Sequence, residues 1–317
     1  MKLPASKAAS RPLPSRILRW IVNAYIPWRV IMRLIENDIL TKDVLDWKGM
    51  HLFHFMASSC SQKTRICLNL KNIDWTSHHL DLGKGDNYSE YYLGINPRGL
   101  VPTLIHDGEV HIESNDIIVL LDERFPERKL VPQIQKDKIV DLLRHEDDLH
   151  LDLRTLTFRY THPRGKEPRS KETLQNYRNR GSGQVGGEID EAKERELKFW
   201  ETAADVGITD DAIRISTNKF RAAIDELNDL LTDNKNLMGE EITVLDIAWV
   251  IYLNRLVRCG YPLERLHPRV NTWFNSLRML PEFNNELVVP PEVQKAVDQN
   301  HERQRLDGTT LVEVAGL

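Results

Sequence analysis

The spacing of apolar residues changes character once along this 317-residue chain, near Pro132, and that change constrains the fold more than any other feature. Before it, short apolar runs alternate with helical patterns. His51-Leu52-Phe53-His54-Phe55-Met56 reads as a strand. Gln62 to Leu70 reads as a helix, with Ile66, Leu70 and Ile73 at helical spacing. Trp75 to Asp81 reads as a second strand, Gly83, Gly85 and Asn87 as a loop, and Tyr88 to Gly94 as one or two helical turns. Asn96-Pro97-Arg98-Gly99 is a turn signal. Leu100 to Ile105 is a strand carrying Pro102 near its start, where a missing N–H is tolerated. Asp107-Gly108 is a hairpin turn into Val110-His111-Ile112, and Glu113-Ser114-Asn115-Asp116 opens a helix that ends before Pro126. After Pro132 the alternation fades and amphipathic stretches follow at 134–160, 186–204, 209–232, 243–258 and 270–280. The pattern predicts a small α/β domain followed by an all-α domain.

This gives an extension at 1–50, partly helical, an α/β domain at 51–130, a helical domain at 131–285 and a tail at 286–317. Residues 161–187, rich in Pro, Gly, Arg and Lys, read as a mobile insertion. Residues 1–15 are polar and read as a disordered start. Residues 16–40 read as an amphipathic helix broken near Pro27. Arg19 interrupts the apolar run that a signal peptide or a membrane span would need. Docking onto the protein's own body or a partner is the first reading of 16–40. Weak membrane-surface contact through Trp20, Trp28 and the arginines is the second.

A net charge of −4 provides no general attraction for nucleic acid. Three cysteines, Cys60, Cys67 and Cys259, form neither a disulfide framework nor a zinc cluster, so no metal is expected and a reducing, cytoplasmic setting fits.

Three segments could carry chemistry. Ser58-Ser59-Cys60-Ser61 sits at an expected helix start, where free N–H groups and the helix dipole favour an anion. On that segment alone, capping by serines and a cysteine filler is the simpler account. Val101-Pro102, after a loop and at a strand start, suits a cis peptide that could offer Val101 backbone to a peptide ligand. Ser114 is a credible N-cap, with N–H groups fit for a carboxylate, and Glu113 could bind an ammonium group.

Taken together, these segments resemble the glutathione S-transferase superfamily. The carriers are Ser58 to Arg65, Asn96 to Leu104, and Glu113 to Ile118. A fourth is Thr243-Val244-Leu245-Asp246-Ile247-Ala248-Trp249, which looks like the family's buried capping box. The resemblance covers about residues 51–285. It implies a thioredoxin-like N-terminal domain, an all-α C-terminal domain, glutathione as cosubstrate and a homodimer or heterodimer. It also implies that Val101 pairs with the cysteinyl part of glutathione and that Glu113 and Ser114 bind its γ-glutamyl end. Arg98 is a further candidate.

Within the superfamily, the turn looks most like the tetrachlorohydroquinone reductive dehalogenase branch. Tyr160-Thr161-His162 and the basic run after it are similar to that branch's helical domain, which makes Tyr160 and His162 pocket candidates. That likeness implies Cys60 as catalytic thiol, with Ser58 beside the glutathione sulfur and an electrophilic aromatic substrate. Related β-etherase-type transferases imply the alternative, in which Ser58 or Ser59 steadies a glutathione thiolate. A non-catalytic assembly protein with the same fold is the third reading, kept alive by the extension.

Other constellations fail. His145 and His150 lie five apart, where a helical zinc pair needs four, so the acidic run between them reads as a solvated surface. Trp200, Trp249 and Trp273 read as core.

Overall fold

The computed structural model describes residues 32–162 and 169–317. The first domain is built on a four-stranded sheet of order β2-β1-β3-β4. Its elements run β1 (Met50–His54), α1 (Ser59–Leu70), β2 (Thr76–His79), α2 (Glu90–Ile95), β3 (Thr103–His106), β4 (Glu109–His111) and α3 (Ser114–Arg124). β1 pairs parallel with β2, and antiparallel with β3 through Leu52↔Leu104 and Phe53↔Thr103.

Alternation along the strands explains why both faces are covered. Leu52 and Leu104 pack with Ile66, Ile117 and Leu121 on the side of α1 and α3. Phe53 and Ile105 pack on the other side with Tyr92 and Ile95. β3 begins at Thr103, after Pro102, because proline has no N–H for the ladder. The expected β1 is shorter at its end: Phe55 and Met56 leave the sheet, and Met56 is exposed. The Asp107-Gly108 turn has positive φ at both residues, as a tight hairpin requires. A Cβ at Gly108 would lie 2.1 Å from the Leu45 carbonyl oxygen, so only glycine fits.

The described part of the extension belongs to this domain. Leu34 N–H donates to Val110 O (2.9 Å) and Ile112 N–H to Met32 O (3.1 Å), so the chain pairs along β4 and covers the sheet edge. Leu34, Ile39 and Val44 are buried below the sheet. Residues 32–40 are therefore extended, with one 3-10 turn at Glu36–Asp38, and not the α-helix that amphipathic spacing suggested. Pairing with β4 satisfies backbone groups that a helix would have satisfied within itself. The rest of the reading for 16–40, and that for 1–15, lies outside the described residues.

Beyond Pro132 the chain is mainly helical. It runs α4 (Lys136–Asp148), α5 (His150–Thr161), α6 (Lys171–Asn179), β5 (Gln184–Val185), β6 (Glu188–Ile189), α7 (Glu191–Asp205) and α8 (Asp210–Leu230). It continues as α9 (Val244–Arg258), α10 (Leu263–Leu266), α11 (Pro268–Arg278), α12 (Pro281–Leu287), α13 (Pro291–Leu306) and α14 (Leu311–Ala315). The stretch 134–160 divides at Leu149. Residues 169–187 carry α6 and most of a β-hairpin, with Leu174 and Tyr177 buried, so this part of the expected mobile insertion is ordered. The segment from 286 also folds, as α13 against α5 and α14 against α8.

Helix α9 is the centre of this domain, with Val244 to Asn254 all buried. Thr243 N–H and hydroxyl both donate to Asp246 Oδ2 (2.8 Å each), the reciprocal cap the sequence suggested. Asp246 also accepts from Leu237 N–H and Trp273 Nε1, which ties α9 to α11. Trp200, Trp249 and Trp273 are buried as expected. Among the described residues no helix is long and apolar enough to cross a membrane.

Candidate active site

The turn between β1 and α1 is held through its carbonyls. Arg65 donates to Phe55 O (3.2 Å) and Met56 O (2.9 Å), and Arg255 of α9 donates to Ala57 O. Ser58 is the N-cap of α1: its hydroxyl oxygen accepts from Ser61 N–H (3.3 Å). That leaves the Ser58 hydroxyl proton for another acceptor. Ser61 is buried, and its hydroxyl accepts from Phe55 N–H. Ser58, Ser59 and Cys60 are half-buried at the mouth of the turn.

Cys60 Sγ lies 3.9 Å from Nδ1 of His150, the first residue of α5. Burial opposes ionisation of this thiol. The charge and hydrogen bond of His150, then Lys63 and the Ser114 hydroxyl, outweigh it, and Cys60 ionises below the ordinary thiol range. Burial likewise opposes charge on His150, but the Cys60 thiolate overrides it and raises the imidazole. His150 Nδ1 also lies 3.1 Å from the Tyr252 hydroxyl, while the Arg154 charge, 3.4 Å from Nε2, opposes protonation of the ring. Arg154 is anchored by Glu196 (2.5 Å), which also accepts from Trp200 Nε1 (2.6 Å).

Below the thiol, Lys63 places its ammonium 2.9 Å from both oxygens of Glu146 and 2.7 Å from Asn115 Oδ1. Both charged side chains are buried. The acidic run at 145–150 is thus not a solvated surface. Its Glu146 neutralises a lysine of the first domain, and its His150 faces the thiol. These are the functional groups that sequence reasoning missed. The signal lay in the segment, but only the tertiary contacts of Glu146 with Lys63 and of His150 with Cys60 show which residues turn inward.

Near the thiol, Glu113 has φ +66 and precedes α3, whose first residue is Ser114. Glu113 is therefore the N-cap position, one residue before the expected cap. Arg98 donates to Glu113 and, through two nitrogens at 2.8 Å, to both oxygens of Asp190. Arg98 is thus engaged by both carboxylates within the protein. The Val101-Pro102 peptide is cis, and Val101 is buried beside β3.

The pocket candidates separate. Tyr160 is wholly buried in the helical core and presents no surface to a substrate. His162 is exposed after α5 and stacks on Phe158 at 4.2 Å. Among the described residues no group of three or more His, Cys, Asp or Glu side chains could hold a metal ion.

Residues 52–129 match the family described as glutathione S-transferase, N-terminal domain, and residues 197–276 match glutathione S-transferase, C-terminal domain. Glutathione S-transferase 1 of Dianthus caryophyllus is 43% identical over 84 residues, 26% of this chain and 38% of that protein. Maleylpyruvate isomerase of a Ralstonia species is 36% identical over 83 residues, 26% of this chain and 39% of that protein. These matches span about two fifths of the relatives' own length. In fold, the chain is similar to the β-etherase LigF of Sphingobium sp. strain SYK-6, with TM-score 0.63 and 21% identity over 75% of this chain and 98% of that one. The chain carries the N- and C-terminal domains of the glutathione S-transferase superfamily.

Proposed function

We propose that the protein is a glutathione-dependent transferase acting on an electrophilic aromatic substrate, with Cys60 forming a mixed disulfide during turnover. The observation that carries this reading is the Cys60 thiol at the N-terminus of α1, 3.9 Å from His150 Nδ1 and stabilised as its anion. In this reading Glu113 receives the α-ammonium group of glutathione, Ser114 and the first N–H groups of α3 receive its α-carboxylate, and Val101 pairs with its cysteinyl backbone. Glutathione first displaces a leaving group from the ring. The Cys60 thiolate then attacks the sulfur of the conjugate. The S–S bond forms, the C–S bond breaks, and its electron pair leaves with the ring carbon, which takes a proton from the His150 imidazolium. A second glutathione thiolate attacks the mixed disulfide, releasing glutathione disulfide and restoring the Cys60 thiolate.

A second reading is β-aryl ether cleavage, with no covalent step at Cys60. The free hydroxyl proton of Ser58 supports it, since it could bond the glutathione sulfur directly. The Cys60→Ser variant separates the two. Under the first reading, mass spectrometry of the wild type during turnover finds one glutathione added, and the variant loses both the adduct and the activity. If turnover of aromatic ethers survives in Cys60→Ser, the covalent step is wrong and Ser58 or Ser59 takes the role. Failure of the wild type to be retained on glutathione-agarose favours the non-catalytic assembly reading. The family's habit of pairing makes a homodimer or heterodimer our proposal for the assembly, and the cytoplasm our proposal for its compartment.

A further inference from the structure

We propose that Asp190 is a positioning residue for the glutathione site: by holding Arg98 at two points, it leaves the charge of Glu113 for the α-ammonium group of glutathione. The inference rests on the reading above that Glu113 receives that group.

The geometry is one cation between two anions. Arg98 reaches Asp190 through Nε and one terminal nitrogen, both at 2.8 Å, and Glu113 through the other. The side chains of Arg98 and Asp190 are 10% and 6% exposed, and that of Glu113 is 26% exposed. Asp190 is the buried arm and Glu113 the open one. The cluster keeps one net negative charge, and it is presented at Glu113. Without Asp190, Arg98 and Glu113 would cancel, and a ligand ammonium would meet a neutral pair in a partly desolvated site, where charges count most.

Asp190 comes to Arg98 by an unusual route. It follows the β5–β6 hairpin and caps α7, accepting from Ala192 N–H. Its own N–H donates to Gly183 O (3.0 Å). The hairpin tip is held by Asp38, a fully buried residue of the segment before β1. Asp38 accepts from Gly186 N–H (2.7 Å), Gly187 N–H (3.0 Å) and Ile35 N–H (3.2 Å). Both glycines have positive φ, which turns their N–H groups to the same carboxylate. Tyr177 of α6 donates to the Arg98 carbonyl (2.5 Å). The extension and the insertion thus meet near the turn that carries Arg98.

The test uses the full chain and calorimetric titration with two probes, glutathione and its analogue lacking the α-amino group. Asp190→Asn keeps the shape and the helix cap but drops the charge. It is expected to bind glutathione about tenfold more weakly, the scale of one lost charge contact. The analogue should bind Asp190→Asn as it binds the wild type. KM for glutathione should rise while kcat stays within about twofold, as for an interaction made in the bound ground state. Adding Arg98→Met to Asp190→Asn should recover affinity to within about threefold of wild type, because no cation is left to cancel Glu113. Equal loss for both probes, or no loss for either, overturns the proposal. If Asp190→Asn does not fold, the double variant decides, and a loss of about tenfold or more in it overturns the proposal. A wild type that binds neither probe overturns the glutathione reading itself, and this proposal with it.

Discussion

Cys60 and Cys67 lie two turns apart on α1, and each sits near a buried lysine–carboxylate pair. At the first, Lys63 meets Glu146; at the second, Lys71 meets Asp122 at 2.9 Å. The two thiols nonetheless diverge. Burial pushes Cys67 up to about 12, with the Lys71 and Asp122 charges opposing each other. Cys67 faces the Ile118 carbonyl at 3.9 Å. Cys60 has a second cation, His150, at 3.9 Å, and it lies in the first turn of the helix, where N–H groups are unpaired. A buried lysine alone therefore does not activate a thiol here, because its charge is already spent on its partner. The imidazole and the helix start make the difference.

That comparison can be broken at three points. The largest effect is expected from Glu146→Gln, which strands the buried Lys63 ammonium and should cost about 3 kcal/mol in urea unfolding. The freed Lys63 charge should also move the Cys60 alkylation midpoint to lower pH; an unchanged profile in the folded variant would show that the Lys63–Glu146 pair is structural and that His150 sets the thiol. A smaller change is expected from His150→Gln. Cys60 has a lowered pKa, so its thiolate persists to lower pH than an ordinary thiol. Loss of the imidazolium moves the midpoint of its iodoacetamide pH–rate profile upward and slows labelling at pH 7. An unchanged profile would refute the role given to His150. The smallest effect is expected from Cys67→Ala, about 1 kcal/mol of stability for the lost sulfur. It should leave the glutathione adduct on Cys60 intact, since burial keeps the Cys67 thiol protonated at pH 7.

Much of the fold was legible because it is written in local periodicity. The strand positions, the Asp107-Gly108 hairpin, the Thr243–Asp246 cap and the apolar α9 each depend on residues a few positions apart. The site was legible only on its α/β side. Ser58, Cys60, Val101, Glu113 and Ser114 occupy element ends whose capping and turn chemistry can be read along the chain. Their partners could not be read. His150 and Glu146 looked like surface residues because the groups they meet, Cys60 and Lys63 of α1, lie some 80–90 residues away. Tyr160 looked available and is core for the same reason. The edge pairing of residues 32–34 was hidden because β4 becomes their partner only once the sheet has formed.

The sequence by itself determined the order of elements, the division near Pro132 and the place of the thiol at a helix start. All of these follow from short-range sterics, hydrogen bonding and apolar spacing. Only the tertiary structure decided which charge stands beside that thiol, and that Arg98 is shared between Glu113 and Asp190 while Asp38 holds the hairpin that delivers Asp190. These are contacts between segments far apart in the chain, and their strength depends on the water that folding removes.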